Sequence, residues 1–316
     1  MKKLQFILAC AALTALSSCS SDDQSFDPNE IRITTNVGGI EATTRAAANT
    51  YDDGYFDANS QINIYIFEHV ENGETEAYKY GTDGLLAYIA DGSGNLSTTT
   101  KPYYPANGHN IDVYGIYSGN QNIKFANSQT ITVSEDQSND ANYKASDLMW
   151  ASKTNHAKSE NAVALSFNHK LSKVIVELKE GDGLNNGDLA NATVQILNTS
   201  TNATINVDRT GINNLTPSTT TEDIKPITLG CWNAGNNVAA IIIPQQVGAG
   251  KQLFKVTLSN QAEYIYTIPT TASPVTFEAD KKYTYTLTLT TKGIEVTATI
   301  KDWSQNDSKT GDAILD

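Results

Sequence analysis

The sequence predicts an all-β protein, and three observations predict it. Past residue 46 the chain repeats one kind of unit, an alternating or apolar run of four to eight residues closed by turn residues. No 3.6-residue hydrophobic period of useful length competes with that pattern. Thr, Asn, Ser, Gly and Tyr are abundant while charged residues make up 18%, a composition that favours strands and tight turns over Ala-, Glu-, Leu- and Lys-rich helices. Each half of the 316 residues holds enough runs for a sandwich of its own, so two all-β domains in tandem are expected.

The first element is a leader. Met1-Lys2-Lys3 is basic, and Leu4 to Leu16 is apolar but too short for a comfortable permanent span, so residues 1–18 read as a signal peptide. Its end, Leu16-Ser17-Ser18-Cys19, resembles the lipobox of bacterial lipoproteins, in which the cysteine becomes the acylated N-terminus. Lipidation of Cys19 would hold the chain to an outer membrane, because each buried methylene adds about 0.8 kcal/mol. Ser21-Asp22-Asp23 then reads as a solvated tether, and it resembles the acidic signals that send some lipoproteins to the outer surface.

A strand and a breakable linker follow. Ile31, Ile33, Thr35 and Val37 fall on one side of an extended chain, with Arg32, Thr34 and Asn36 on the other, the pattern of a half-buried edge strand. Gly38-Gly39 ends it. Arg45, one of only three arginines, precedes Ala46-Ala47-Ala48 and offers a trypsin-like protease a basic residue in an unbulky setting. Residues 19–45 are therefore read as tether and first strand.

In the first half, Ile62, Ile64 and Ile66 alternate, Ile111 to Tyr117 is a mixed apolar run, Ile131 and Val133 make a short strand, and Val163, Leu165 and Phe167 alternate cleanly. Asp53-Gly54, Asn72-Gly73, Asp83-Gly84, Asp91-Gly92 and Asn107-Gly108 punctuate them. Ser134 to Asn142 and Asn155 to Asn161 read as loops. The second half runs through Val174-Val176-Leu178, Val194-Ile196, Ile205-Val207, Ile227-Leu229, Ala239 to Ile243, Phe254-Val256-Leu258 and Tyr264-Tyr266-Ile268. It closes with Tyr283 to Leu289 and with Ile294, Val296, Ala298 and Ile300. Strand count places the boundary at about residue 167, giving domains of 46–167 and 168–316 that share a tight junction.

Charge and cysteines exclude several classes of function. The net charge is −13, and without Lys2 and Lys3 it becomes −15, with 20 basic against 35 acidic groups. Such a surface repels phosphate backbones, so nucleic acid is not an expected partner. With Cys10 and Cys19 in the leader region, Cys231 alone is left, which builds neither a disulfide nor a metal framework, and it reads as a small buried apolar residue.

The run Leu165-Ser166-Phe167-Asn168-His169-Lys170-Leu171-Ser172-Lys173-Val174-Ile175-Val176-Glu177-Leu178 resembles the fimbrillin family of type V pilus subunits. Asp147-Leu148-Met149-Trp150-Ala151, Ile241-Ile242-Ile243-Pro244-Gln245, Tyr283-Thr284-Tyr285-Thr286-Leu287, Gly293-Ile294-Glu295-Val296 and Ile300-Lys301-Asp302-Trp303 are similar to that family in content and order. The resemblance implies two transthyretin-like Greek-key β-sandwiches, an outer-surface lipoprotein precursor and an arginine-specific surface protease that cuts between Arg45 and Ala46. It also implies that the strand carrying Ile31, Ile33 and Val37 leaves and that other fimbrial subunits supply a replacement, in a fibre serving adhesion.

The donor should be an accessible terminal segment. Ile294, Val296, Ala298 and Ile300 alternate suitably but equally suit a last internal strand, whereas Asp312-Ala313-Ile314-Leu315-Asp316 follows a polar spacer. The segment beyond Trp303, with Ala313, Ile314 and Leu315, is the favoured donor.

Enzyme chemistry finds no setting in the sequence. His69, His109, His156 and His169 stand in no catalytic motif, and His169 is read as a hydrogen-bonded structural histidine near a sheet junction. The oxygen-rich runs Asp91 to Asn95 and Asp182 to Asp188 lack the glutamate of a calcium loop at the twelfth position, which is Pro102 or Thr193, so both read as turns, and no cofactor or metal is expected. The alternative reading is a monomeric surface lipoprotein that binds glycan by stacking sugars on Tyr103, Tyr104, Trp150, Trp232 or Trp303.

Overall fold

A computed structural model describes residues 27–38, 54–71, 80–81, 84–119, 121–185, 187–228, 237–303 and 312–313. The first half carries β1 (Ile33–Val37), β2 (Gln61–Glu68), β3 (Leu85–Ala90), β4 (Leu96–Ser97), β5 (Ile111–Tyr117), β6 (Ala126–Thr132), the short helix α1 (Asp140–Ala145), β7 (Met149–His156) and β8 (Val163–His169). The second half carries β9 (Ser172–Glu180), β10 (Thr193–Thr199), β11 (Asn202–Asp208), β12 (Gly211–Pro217), β13 (Glu222–Ile224), β14 (Ile227–Thr228), β15 (Asn237–Ile242) and β16 (Gln245–Val247). It ends with β17 (Gln252–Thr257), β18 (Glu263–Thr267), β19 (Val275–Phe277), β20 (Lys281–Thr290), β21 (Gly293–Asp302) and β22 (Asp312–Ala313). The all-β class expected from the sequence is the class observed.

Seven strands of the first half form one sheet in the order β1-β8-β7-β5-β2-β3-β4. One face encloses a core that includes Ile33, Ile62, Ile64, Val113, Leu165 and Phe167. The other face packs Tyr65, Phe67, Tyr114 and Trp150 into a second core that continues into the second half. Burial on both faces explains why β5 reads as a mixed apolar run and why, within β2, Tyr65 and Phe67 between the alternating isoleucines are buried too.

The two halves also share a sheet, because β6 pairs with β11 and β11 with β12. Phe125, just before β6, stacks on Tyr65 with ring centroids 4.1 Å apart, and its N–H donates to the Tyr65 hydroxyl at 3.1 Å. A six-stranded sheet, β14-β15-β9-β20-β21-β22, and a four-stranded one, β13-β10-β17-β18, complete the second half with the β16-β19 pair.

Two loop expectations are corrected. The stretch 134–142 ends in helix: Asn139 caps α1 by accepting from the Asn142 N–H at 3.0 Å, and Tyr143 is buried beneath it. Strand β7 runs on to His156, so the second expected loop begins later than Asn155. Gln137, fully buried, ties the first of these loops to β15. Its side-chain amide accepts from the Ile241 N–H at 2.8 Å and donates to the Ile241 carbonyl at 2.7 Å and to the Ser134 carbonyl at 3.0 Å. A Gln137→Ala chain leaves those groups without their partner and is expected to be less stable by about 2–3 kcal/mol, read as a lowered thermal midpoint with an unchanged β-sheet spectrum.

Candidate functional site: the slot of the first strand

Strand β1 is the last strand of its sheet, pairing parallel to β8 with Ile33 opposite Val163, Thr35 opposite Leu165 and Val37 opposite Phe167. The sequence pattern predicts an edge strand with one bonded side. The structure differs, because the far side of β1 is bonded too. The Ile31 N–H donates to the Pro102 carbonyl at 2.8 Å, the Thr35 N–H to the Gly94 carbonyl at 2.7 Å and the Val37 N–H to the Gly54 carbonyl at 2.9 Å. In return, the Tyr104 N–H donates to the Asn29 carbonyl at 2.8 Å. On the near side the Val163 N–H donates to the Arg32 carbonyl at 2.8 Å and the Gly38 N–H to the Phe167 carbonyl at 3.0 Å. The first strand therefore closes a slot whose walls are β8 and the turns at 54, 94 and 102.

The floor of the slot is apolar. Ile31 and Ile33 are 2% exposed and Val37 4%, and they lie in one core with Phe56, Ile62, Ile64, Val163, Leu165 and Phe167. Burial of each of the three aliphatic side chains contributes roughly 1.5–3 kcal/mol, and each ladder bond about 1 kcal/mol net. Removing the strand exposes this face and strips partners from both walls together.

Two glycines let the slot be this narrow. Gly94 has φ +96°, and a Cβ there would meet the Tyr55 ring at 2.5 Å and the Thr35 carbonyl oxygen at 3.0 Å, the oxygen of the strand itself. Gly115 sits under Phe167, whose ring would lie 2.4 Å from an added Cβ. Phe167 in turn meets Phe56 edge-on at 4.9 Å. A Gly115→Val chain is expected to lose about 1–3 kcal/mol by overpacking, measurable by chemical denaturation.

Cys19, Arg45, Ala46, Ile314 and Leu315 lie outside the described residues, as do Cys231 and Trp232. Ala313 pairs through its backbone with Ala298 on the outer edge of β21. Of the two donor candidates, the run Ile294 to Ile300 lies in β21, which is laddered to β20 along all its residues from Gly293 to Asp302. Trp303 pins the end of that strand. Its side chain is fully buried and stacks on His169 at 3.8 Å with planes 2° apart, and its backbone N–H donates to the Asp280 carbonyl at 2.8 Å.

Three of the four histidines face carboxylates. His169 Nδ1 lies 2.8 Å from Asp147 Oδ2 in the junction between the halves. His69 Nδ1 lies 2.8 Å from Asp112 Oδ1, and His109 Nδ1 lies 2.6 Å from Glu68 Oε1. Burial, and secondarily the charge of Lys153, hold the His156 imidazole below its ordinary pKa. Asp91 spends its carboxylate inside its own turn, accepting from the Ser93 and Asn95 N–H groups and from the Asn95 amide. Of the aromatics named for sugar stacking, Trp150, Trp303 and Tyr104 are buried and Tyr103 is 39% exposed.

Residues 44–303 match the sequence profile of the family described as fimbrillin-like. A Bacteroides uniformis protein named as fimbrium subunit Fim1C is 30% identical over 320 residues, covering 99% of this chain and 100% of its own length. A crystal structure from B. uniformis, titled as a cell adhesion protein, superposes with a TM-score of 0.63 at 26% identity, over 87% of this chain and 98% of its own. One from Bacteroides ovatus with the same description gives 0.62 at 17% identity, over 88% and 99%, and shares the fold. The tip fimbrial protein Mfa3 of Porphyromonas gingivalis gives 0.50 at 13%, over 87% and 100%, again a likeness of fold. With a profile match over most of its length and a full-length relative at 30% identity, this chain belongs to the fimbrillin-like family.

Proposed function

We propose that the protein is a structural subunit of a cell-surface fimbrium, made as an outer-membrane lipoprotein acylated at Cys19 and activated by arginine-directed cleavage between Arg45 and Ala46. The observation that carries this reading is the slot: one short strand, bonded on both sides, covers the apolar floor of the first sheet. Once cut, the strand departs and a strand from another subunit takes its place, supplying main-chain bonds and alternate apolar side chains. The assembled fibre serves adhesion, and the work of the chain is assembly, with no catalysis.

Three further observations support it. The relative with full-length similarity is named as a fimbrium subunit. The family match starts one residue before Arg45 and stops at Trp303, leaving outside it the two segments that exchange requires to be separable. The other two arginines are engaged by the fold: Arg32 lies within the bonded first strand and donates to the Glu160 carbonyl, and the Arg209 guanidinium lies 3.9 Å above the Phe67 ring. The donor is the segment beyond Trp303, since β21 is laddered to β20 along its whole length and the buried Trp303 holds its end. In this reading residues 1–18 are the signal peptide, 19–45 the propeptide, and 46–167 and 168–316 two sandwiches, with β6 of the first lying in a sheet of the second.

The test uses residues 19–316 with Cys19→Ser, treated with an arginine-specific protease. Loss of the fragment 19–45 by mass spectrometry, followed by growth into heat-resistant oligomers by light scattering, is the expected result. A folded chain that resists cutting would contradict it and return attention to a monomeric glycan-binding role.

A further inference from the structure

The slot has a polar end that apolar burial does not account for. Where the first strand enters, Glu30 precedes Ile31, and its side chain is only 12% exposed. Its carboxylate Oε2 is 2.9 Å from Lys101 Nζ, which reaches over from the wall carrying Pro102 and Tyr103. Glu30 bridges to Tyr103 through the backbone, so main chain and side chain are fixed by the same wall. Next to it, Lys158 donates to the side-chain oxygen of Asn29.

When residues 27–38 leave, Lys101 and Lys158 lose these acceptors. Lys101 is 59% exposed and is solvated when the strand is gone, so the preference it exerts is the modest one of a partly exposed ion pair, favouring a strand that brings a carboxylate over one that does not. We infer that this end of the slot is a carboxylate site, in which Lys101 selects an incoming strand carrying Asp or Glu one residue ahead of its first inward-facing apolar side chain.

The occupant it fits is a second copy of this chain. In the sequence, Asp312 precedes Ala313 and Leu315 in the same order in which Glu30 precedes Ile31 and Ile33, so a carboxylate meets Lys101 as two apolar side chains face the floor. The inference rests on the strand-exchange reading above and adds to it the side chain that sets register. A mouth lined by lysines also raises the rate at which an acidic segment is captured, in a protein whose overall charge is negative.

The test takes the 19–316 chain with Cys19→Ser, cut by an arginine-specific protease, and titrates it with fluorescent synthetic peptides of residues 27–38 and 304–316. The 27–38 peptide is expected to bind, and its Glu30→Gln form about five-fold more weakly, as fits one partly exposed ion pair. In a Lys101→Met chain the two peptides should bind equally, and high salt should narrow the gap between them in the parent. The 304–316 peptide should compete, with Asp312→Asn weakening it similarly. Equal affinity of the unmodified and Glu30→Gln peptides for the parent overturns the carboxylate site while leaving strand exchange intact. Failure of the 304–316 peptide to compete overturns the second copy as occupant. No uptake of the unmodified 27–38 peptide overturns strand exchange itself, and this inference with it.

Discussion

An Arg45→Ala chain is expected to keep its full mass under an arginine-specific protease and to remain monomeric, where the parent is expected to be trimmed and to polymerise. The effect is close to all-or-none because of what the cut does to the strand. While residues 27–38 are joined to the body, a strand that lifts out of the slot returns from an effective concentration in the millimolar range or above. Three buried aliphatic side chains at roughly 1.5–3 kcal/mol each and a set of ladder bonds favour that return. After cleavage the same contacts must also offset the cost of bimolecular association, which leaves a fragment Kd on the order of micromolar to millimolar. At dilute protein the fragment is then expected to leave, and a donor tethered to a neighbouring subunit to outcompete it. Intact mass and light scattering on the two chains side by side measure both halves of this expectation, and trimming at the same place in the alanine chain would count against Arg45.

Phe167→Ala is expected to be the most damaging single core change near the slot, lowering stability by about 3–5 kcal/mol in urea denaturation of the uncut chain. Phe167 is fully buried, covers Gly115 at the centre of the sheet, meets Phe56 edge-on, and its carbonyl accepts the Gly38 N–H at the end of the first strand. Truncation empties the space beneath Val37, its register partner being Phe167 itself. Because glycine at 115 leaves no neighbouring Cβ to collapse into the gap, relaxation recovers little of the loss. Destabilisation of less than about 1 kcal/mol would show that the ring is not a support of the slot.

Much of this was legible in the sequence where one face of a strand is buried and the other is not. The alternation of Ile31, Ile33, Thr35 and Val37 against Arg32, Thr34 and Asn36 reappears as alternate burial along β1, and β8 and β20 show the same correspondence. Period failed as a guide where both faces are covered, as in β5, or where a strand is polar, as in β12 with its Asn213-Asn214 pair. Helix α1 was hidden because six residues are too few to show a period, and only the cap at Asn139 marks it.

The slot divides in the same way. Its strand could be read from a local pattern, and its near wall, Val163 to Phe167, is a clean alternating run. The far wall is assembled from single backbone groups at Gly54, Gly94 and Pro102, which come together only through the closure of the sheet and leave no periodic trace. The Glu30–Lys101 pair joins residues 71 positions apart, and no spacing rule connects them.

The claim at the centre of this account is that the first strand must leave its slot before subunits join. Thr34 and Ala164 face each other in the β1-β8 register, so Thr34→Cys with Ala164→Cys, in a 19–316 chain with Cys19→Ser and Cys231→Ser, can lock the strand in place by a disulfide. After treatment with an arginine-specific protease, light scattering under oxidising conditions should show a cut but monomeric protein, and adding a reductant should release the fragment and start assembly. Oligomers that form while the disulfide is intact would contradict the account.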